Sequence, residues 1–352
     1  MIQQHWNKIV RNENRNKPKV RDYISMSDLG KPYIDRYYKM LGEPITNEFD
    51  DRVLRIFDAG RVIEFIVLRA LTMAGILHKK QIEVNVPATD DTLPLYGYLD
   101  SVVGGFADWE NAKEVINKHL VEYGLDLDDE LLEQKAISII EGLQADFPNG
   151  QIPETLVEIK SINSMAFWAH KNRDEKGNFL GYPHNKLQLY GYQKGTGIKN
   201  GLLVYLSKDD FTMEELGQVL GNEEMERKYQ EDIKTISFHV KNKIVPKPED
   251  EMVYNPLDGV FEVNWKVARS SYLTKIYGYK TVEDLEARHH QTVLDLNRAL
   301  RHLRKAKDIQ HKLDVHTSEN EAKDKKDLAK LQEKIRKEDS AVMEAWKLEQ
   351  YV

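Results

Sequence analysis

The run Leu156-Val157-Glu158-Ile159-Lys160-Ser161 sets an acid and a lysine two residues apart inside an otherwise apolar strand pattern. Side chains alternate along a strand, so Glu158 and Lys160 leave one face together while Val157 and Ile159 leave the other. A charged pair beside a core is costly unless it is paired or performs chemistry. Upstream, Tyr96-Gly97-Tyr98-Leu99-Asp100-Ser101-Val102-Val103 is a second strand-like run with one embedded acid. Earlier still, Val62-Ile63-Glu64-Phe65-Ile66 puts a glutamate into an apolar helical pattern shortly after Gly60. Downstream, Gln188 and Tyr192 stand four apart in a helical pattern and share a face.

The periodicities predict an organisation around these segments. Residues 1–24 are polar, basic and Asn-rich and read as an irregular N-terminal arm. Helices are expected over 27–40 and 48–74, the second ended by Gly75, and strands over 81–86, 95–103 and 155–161. Between the last two strands lies an insert, about 108–153, that is too long for an unstructured loop. It reads as two amphipathic helices, 111–123 and 128–143, closed by Phe147-Pro148-Asn149-Gly150. A helix over 183–195, a strand over 201–207, a further helix and a strand over 235–240 complete the expected core of 25–245. Such alternation implies an α/β fold with a central mixed β-sheet flanked by helices. Residues 246–352 read as an almost wholly helical C-terminal extension, in which Leu328, Leu331, Ile335, Val342 and Trp346 form a narrow apolar stripe. That stripe suits a helical hairpin or coiled coil, and so self-association or a protein partner.

Composition removes several classes of chemistry. With no cysteine, the chain has no disulfide, thiolate zinc site, cysteine-ligated cluster or cysteine nucleophile, and any metal must take oxygen or histidine ligands. No apolar run approaches the roughly 20 residues that span a bilayer, so no membrane partner is expected. The start, Met1 to Trp6, lacks the apolar centre of a signal peptide, and a cytoplasmic location is expected. The balance of 51 basic and 58 acidic residues, net −7, disfavours nucleic acid overall. The basic strips 8–21 and 298–312 could contact phosphate locally, and could equally be solvated faces. His289, His290, His302, His311 and His316 lie in charged helical sequence without a metal pair's spacing, while His170 and His184 read as polar packing.

Phosphodiester substitution needs charge neutralisation, an in-line water and a stabilised leaving oxygen, all of which Mg²⁺ held by carboxylates supplies. Asp100 and Glu158 are the obvious carboxylate pair, with the main-chain carbonyl of Ile159 as a further ligand. Glu64 is a third candidate, though it could instead pair with Arg61 or Arg69. Lys160 could orient the water and stabilise negative charge, or abstract a proton were its pKa lowered. Gln188 and Tyr192 could hydrogen-bond a phosphate.

The order of these elements resembles the PD-(D/E)XK nuclease superfamily, in its RecB-like and lambda-exonuclease-like branch, over about residues 25–210. Gly97-Tyr98-Leu99-Asp100, Glu158-Ile159-Lys160 and Gln188-Leu189-Tyr190-Gly191-Tyr192 match its Gly-x-x-Asp, Glu-x-Lys and Gln-x-x-x-Tyr motifs. The resemblance implies a restriction-endonuclease-like core in which Glu64, Asp100 and Glu158 bind Mg²⁺ or Mn²⁺. It makes Lys160 catalytic with Asp100 and Glu158, and Gln188 and Tyr192 substrate contacts. The implied activity is a metal-dependent DNA nuclease, by preference an exonuclease, in recombination, repair or phage DNA metabolism. Three departures stand out. The first helix carries glutamate where many relatives have histidine, no cysteines exist for the cluster found in several of them, and the 108–153 insert is unusually long. The alternatives are an idle or subsidiary nuclease fold that binds DNA or assembles through its C-terminal helices, and a purely structural helical interaction protein.

Overall fold

Why Asp100 and Glu158 can meet at all is a question of strand pairing. In the computed structural model, which describes residues 2–13, 19–123, 128–148, 152–169, 172–256, 258–315 and 320–351, the chain divides into two compact units, Met1–Lys247 and Pro248–Val352. The first runs α1 (Ile2–Glu13), β1 (Ile24–Ser25), α2 (Tyr33–Met40), α3 (Asp51–Met73), β2 (Leu77–Val86), β3 (Leu95–Val103), α4 (Trp109–Glu122), α5 (Asp129–Asp146) and β4 (Thr155–Ile162). It continues with α6 (Ser164–Trp168), α7 (Pro183–Thr196), β5 (Asn200–Ser207), β6 (Met213–Val219) and α8 (Glu223–Asn242).

Six strands form one mixed sheet. β2 pairs antiparallel along β3 on one edge. On the other edge β1 pairs parallel only at Leu95 and Tyr96, and β4 pairs antiparallel only from Ser101 to Val103. Gly97 to Asp100 therefore line a gap where β3 and β4 diverge. β4 and β5 run parallel through their full length and β6 closes the edge antiparallel. The fold is thus α/β with a mixed central sheet flanked by helices. On one face α3 buries Ile63, Val67 and Leu68 against Val157, Ile159 and Val204. On the other, α7 and α8 bury Leu189, Tyr190, Tyr192, Ile233 and Ile236 against Leu99, Leu156 and Leu203.

Three local expectations are corrected, and one strand is added. Within the expected irregular arm, residues 2–13 form α1, because Trp6 and Val10 recur at helical spacing beneath the polar composition. Val10 is fully buried, Trp6 Nε1 donates to Asp58 at 2.8 Å, and Arg11 pairs with Asp51 on α3. The 235–240 segment is the end of α8, not a strand. Its β-branched residues continue the one-sided row Tyr229, Ile233, Ile236, which packs on the core. The helix expected over 27–40 starts only at Tyr33, after a 3₁₀ turn at Met26–Asp28. The edge strand β6, mostly polar, had no apolar alternation to announce it.

The insert is a helical hairpin with a small core of its own, Ala112, Ile116 and Leu120 against Ala136, Ile140 and Leu143. Asp108 and Asp128 cap its two helices. It docks on the end of α3, where Gly75 has φ +72° and a side chain would strike Ile139 and Leu143. Residues 149 and 150, part of the predicted closing turn, lie outside the described residues.

The second unit contains β7 (Met252–Asn255), β8 (Val260–Val263), α9 (Trp265–Ala268), α10 (Leu273–Tyr277), α11 (Val282–Asp314), α12 (Glu321–Lys334) and α13 (Ser340–Trp346). The β7–β8 hairpin corrects the expectation of an almost wholly helical extension. A π-helical turn, Ile335–Asp339, joins α12 to α13 within the expected helical stretch. There the buried Asp339 accepts hydrogen bonds from His302 at 2.8 Å and Arg298 at 3.2 Å. The apolar stripe is largely used within the unit. Leu328 packs with Ala306 and Ile309 of α11, and Val342 and Trp346 pack on the cluster around Phe261 and Leu300. His289 pairs with Glu251, and His316 lies outside the described residues.

Candidate active site

The gap between β3 and β4 is held open by side chains. Gly97 has Met26 and Tyr192 directly above it. A Cβ there would lie 2.9 Å from Met26 Cβ and 3.2 Å from the Tyr192 hydroxyl. The Tyr192 hydroxyl donates to the main-chain carbonyl of Tyr98 at 2.6 Å, replacing a ladder bond that β4 is too distant to supply. In the gap, Asp100 Oδ2 accepts from the Ile159 N–H at 2.7 Å. Alternation puts Asp100 on the face opposite Gly97 and Leu99, toward α3. Glu158 and Lys160 rise with Leu156 toward α7. The divergence of the strands lets acids from opposite faces approach one another.

On the α7 side the groups form a closed set. Gln188 Nε2 donates to Glu158 Oε1 at 2.8 Å, and Lys160 Nζ donates to the same oxygen at 2.7 Å. Lys160 Nζ also donates to Gln188 Oε1 at 3.0 Å. Gln188 Nε2 approaches the Tyr192 hydroxyl at 3.2 Å. Glu158 is 3% exposed, Gln188 5% and Tyr192 1%. Among the described residues, Glu158 Oε2 is one of the few buried side-chain oxygens with no hydrogen-bond partner. A buried carboxylate oxygen without a donor is costly.

From the α3 side Glu64 accepts a hydrogen bond from the Gln81 side-chain amide. Arg61 is engaged elsewhere, with Asp58 and Glu13. Glu64 and Asp100 both sense the Glu158 charge. Burial, then the charge of Glu158, raises the Glu64 carboxyl above its usual range. Burial, then Glu158 and Glu64, pushes Asp100 well above its own. Burial works against the Lys160 ammonium, but Glu158 and Asp100 outweigh it and the pKa is raised. Burial followed by the Glu158 charge also raises the Tyr192 hydroxyl.

Excess negative charge and the bare Glu158 Oε2 suit a hard divalent cation with oxygen ligands. The side chains do not form a finished cage. Among the described residues no three carboxylates or histidines are gathered closely enough to ligate one ion. Glu64 and Asp100 are engaged with Gln81 and Ile159. Ile159 meets the acids through its N–H, which donates to Asp100. Each remaining candidate belongs to this one neighbourhood, and Gln188 and Tyr192 spend their polar atoms on it.

Two further groups were not singled out from sequence. Gln81 is one. The other is Lys31, which pairs with buried Asp28 beside Lys39. Its pKa is lowered by burial, with the charges of Lys39 and, more weakly, Lys160 adding to the effect against Asp28. A polar strand residue and a loop lysine carry no pattern that marks them. His184 stacks on Tyr182 with ring centroids 5.7 Å apart, and His170 lies outside the described residues.

No protein-family model matches the chain, and no curated protein matches it significantly. Among solved structures it is similar to the protein SSO0001, at 12% identity and a TM-score of 0.42, over 78% of this chain and 95% of that one. It is also similar to the alkaline exonuclease LHK-Exo from Laribacter hongkongensis, at 11% identity and a TM-score of 0.32, over 68% and 95% of the two chains. At these values neither likeness bears on the site or the activity. No helix among the described residues is long and apolar enough to cross a membrane.

Proposed function

We propose that the chain is a metal-dependent nuclease that hydrolyses phosphodiester bonds in DNA, with exonuclease action as its mode. The observation that carries the reading is the buried Glu158 carboxylate. Lys160 and Gln188 saturate one of its oxygens and the other is bare, beside two more acids, Glu64 and Asp100, whose pKa values burial and the Glu158 charge raise. Burying three carboxylates together is destabilising, and a divalent cation removes that cost. Glu64, Asp100, Glu158 and the Ile159 carbonyl would hold Mg²⁺ or Mn²⁺. When bound, the ion supplies charge neutralisation for the phosphate and a more acidic water.

The chain's own groups do the rest. Lys160, kept protonated by Glu158 and Asp100, donates hydrogen bonds and stabilises negative charge on the phosphate, which favours orientation and electrostatics over proton abstraction. Gln188 fixes the relative positions of Glu158 and Lys160. Tyr192, anchored on the Tyr98 carbonyl, keeps the strands apart so that a phosphate can approach the acids. Incubating the protein with end-labelled linear, nicked-circular, closed-circular and single-stranded DNA in Mg²⁺, Mn²⁺ or EDTA tests the reading. Metal-dependent loss of linear DNA with closed circles spared is expected. Intact DNA in every lane contradicts the reading, and cutting of closed circles contradicts the exonuclease mode.

A further inference from the structure

Between the paired residues Lys80↔Ser101 and Ile82↔Leu99, Gln81 falls opposite Asp100 on the neighbouring strand. Its backbone lies at φ +47°, a left-handed conformation uncommon for any residue but glycine. Three other non-glycine residues among those described share this feature. Lys243 and Lys347 cap helix ends and Phe211 sits between β5 and β6. Gln81 alone lies inside a strand. It is exposed, so no packing compensates for the strained backbone. What the conformation accompanies is the hydrogen bond from the Gln81 amide to Glu64. Local strain retained without packing marks a position under functional constraint.

We infer that Gln81 is a positioning residue for Glu64, holding its carboxylate beside Asp100 as the third acidic arm of a divalent-cation site. The inference rests on the metal-dependent reading above. Arg61, one turn before Glu64 on the same helix, is turned to Asp58 and Glu13. Among the described residues, the Gln81 side-chain amide is the one side-chain donor to Glu64. It occupies one carboxylate oxygen and fixes the direction of the other, as outer hydrogen-bond partners do for metal ligands.

Mn²⁺ binding to the full chain, followed by the paramagnetic resonance of free Mn²⁺, tests this alongside metal-free melting temperatures. Gln81→Gly removes the side chain and relaxes the backbone. It should raise the melting temperature yet weaken Mn²⁺ binding about tenfold or more. Gln81→Asn tolerates the left-handed backbone but is too short to reach Glu64, and should weaken binding with the melting temperature little changed. Adding Gln81→Gly to Glu64→Ala should cost nothing further, since the first acts through the second. Wild-type affinity in both Gln81 variants, with Glu158→Ala abolishing binding, overturns the Gln81 role alone. No Mn²⁺ binding by the wild type overturns the metal reading and this inference together.

Discussion

Gln188 and Glu158 are joined by a 2.8 Å hydrogen bond that completes the donors on one carboxylate oxygen and leaves the other bare. Lys160 bridges the same pair, so three side chains from a strand and a helix hold a single geometry. Replacing Gln188 by Met keeps the volume while removing both its donor and its acceptor. Activity should fall about 10- to 100-fold, the usual effect of losing an outer partner of a metal ligand. Steady-state kinetics with circular dichroism as a control for folding checks this.

The acids oppose one another, so removing one charge should help the fold and harm the chemistry. Asp100→Asn keeps an acceptor for the Ile159 N–H and is expected to raise metal-free stability by about 0.5–2 kcal/mol while abolishing cleavage. Denaturant unfolding beside an activity assay separates the two effects, and a destabilised Asp100→Asn would speak against the repulsion.

Adding metal should reverse that penalty in the wild type. Mn²⁺ at 100 times its Kd should stabilise the protein by about 2.7 kcal/mol, with no gain in Glu158→Gln. Thermal melts with and without Mn²⁺ or EDTA read this directly.

Gly97→Ala tests the held-open gap. The new Cβ meets Met26 and Tyr192 at 2.9 and 3.2 Å, so the variant should lose roughly 1–3 kcal/mol. It should also displace the Tyr192 hydroxyl from the Tyr98 carbonyl and lose activity. Chemical denaturation and cleavage rates should move together.

Asp28 sets a pH dependence outside the acidic site. Burial disfavours its charge, but Lys39 at 2.6 Å and Lys31 at 3.3 Å outweigh that and hold its carboxyl below the usual range. A carboxyl whose folded pKa lies below its unfolded value adds stability that is complete above the unfolded pKa, about 3.9. That contribution disappears as pH falls through the folded pKa. Asp28→Asn should therefore cost about 1–2 kcal/mol near neutrality, and the gap from wild type should close below about pH 4. Urea melts across that range measure it.

The parts of the fold with a clean period were legible in advance. β3 was placed residue for residue, and the helix carrying Glu64 and the strand carrying Glu158 to within a few residues, because apolar spacing and caps agree there. α1 was missed because asparagines and basic residues outnumber the two apolar residues that dock it. The end of α8 was misread because Thr235, Ile236 and Val240 favour strands locally while tertiary packing favours the helix. At the site, the motif residues could be named, but not that Asp100 and Glu158 come from opposite faces through a break in the sheet. Gln81 was invisible, since its importance lies in a backbone angle and a register that only the folded sheet defines.

The central claim is that the acids and Lys160 form one phosphodiester-cleaving site. It is tested most directly by the single-turnover rate at which purified protein cuts linear duplex DNA in Mg²⁺. The measurement sets wild type beside folded Glu158→Gln and Lys160→Met. The account predicts cleavage by the wild type that EDTA stops and that falls at least about a thousandfold in both variants. Cleavage that survives in either variant, or a wild type that binds DNA and Mg²⁺ without cutting, would contradict it.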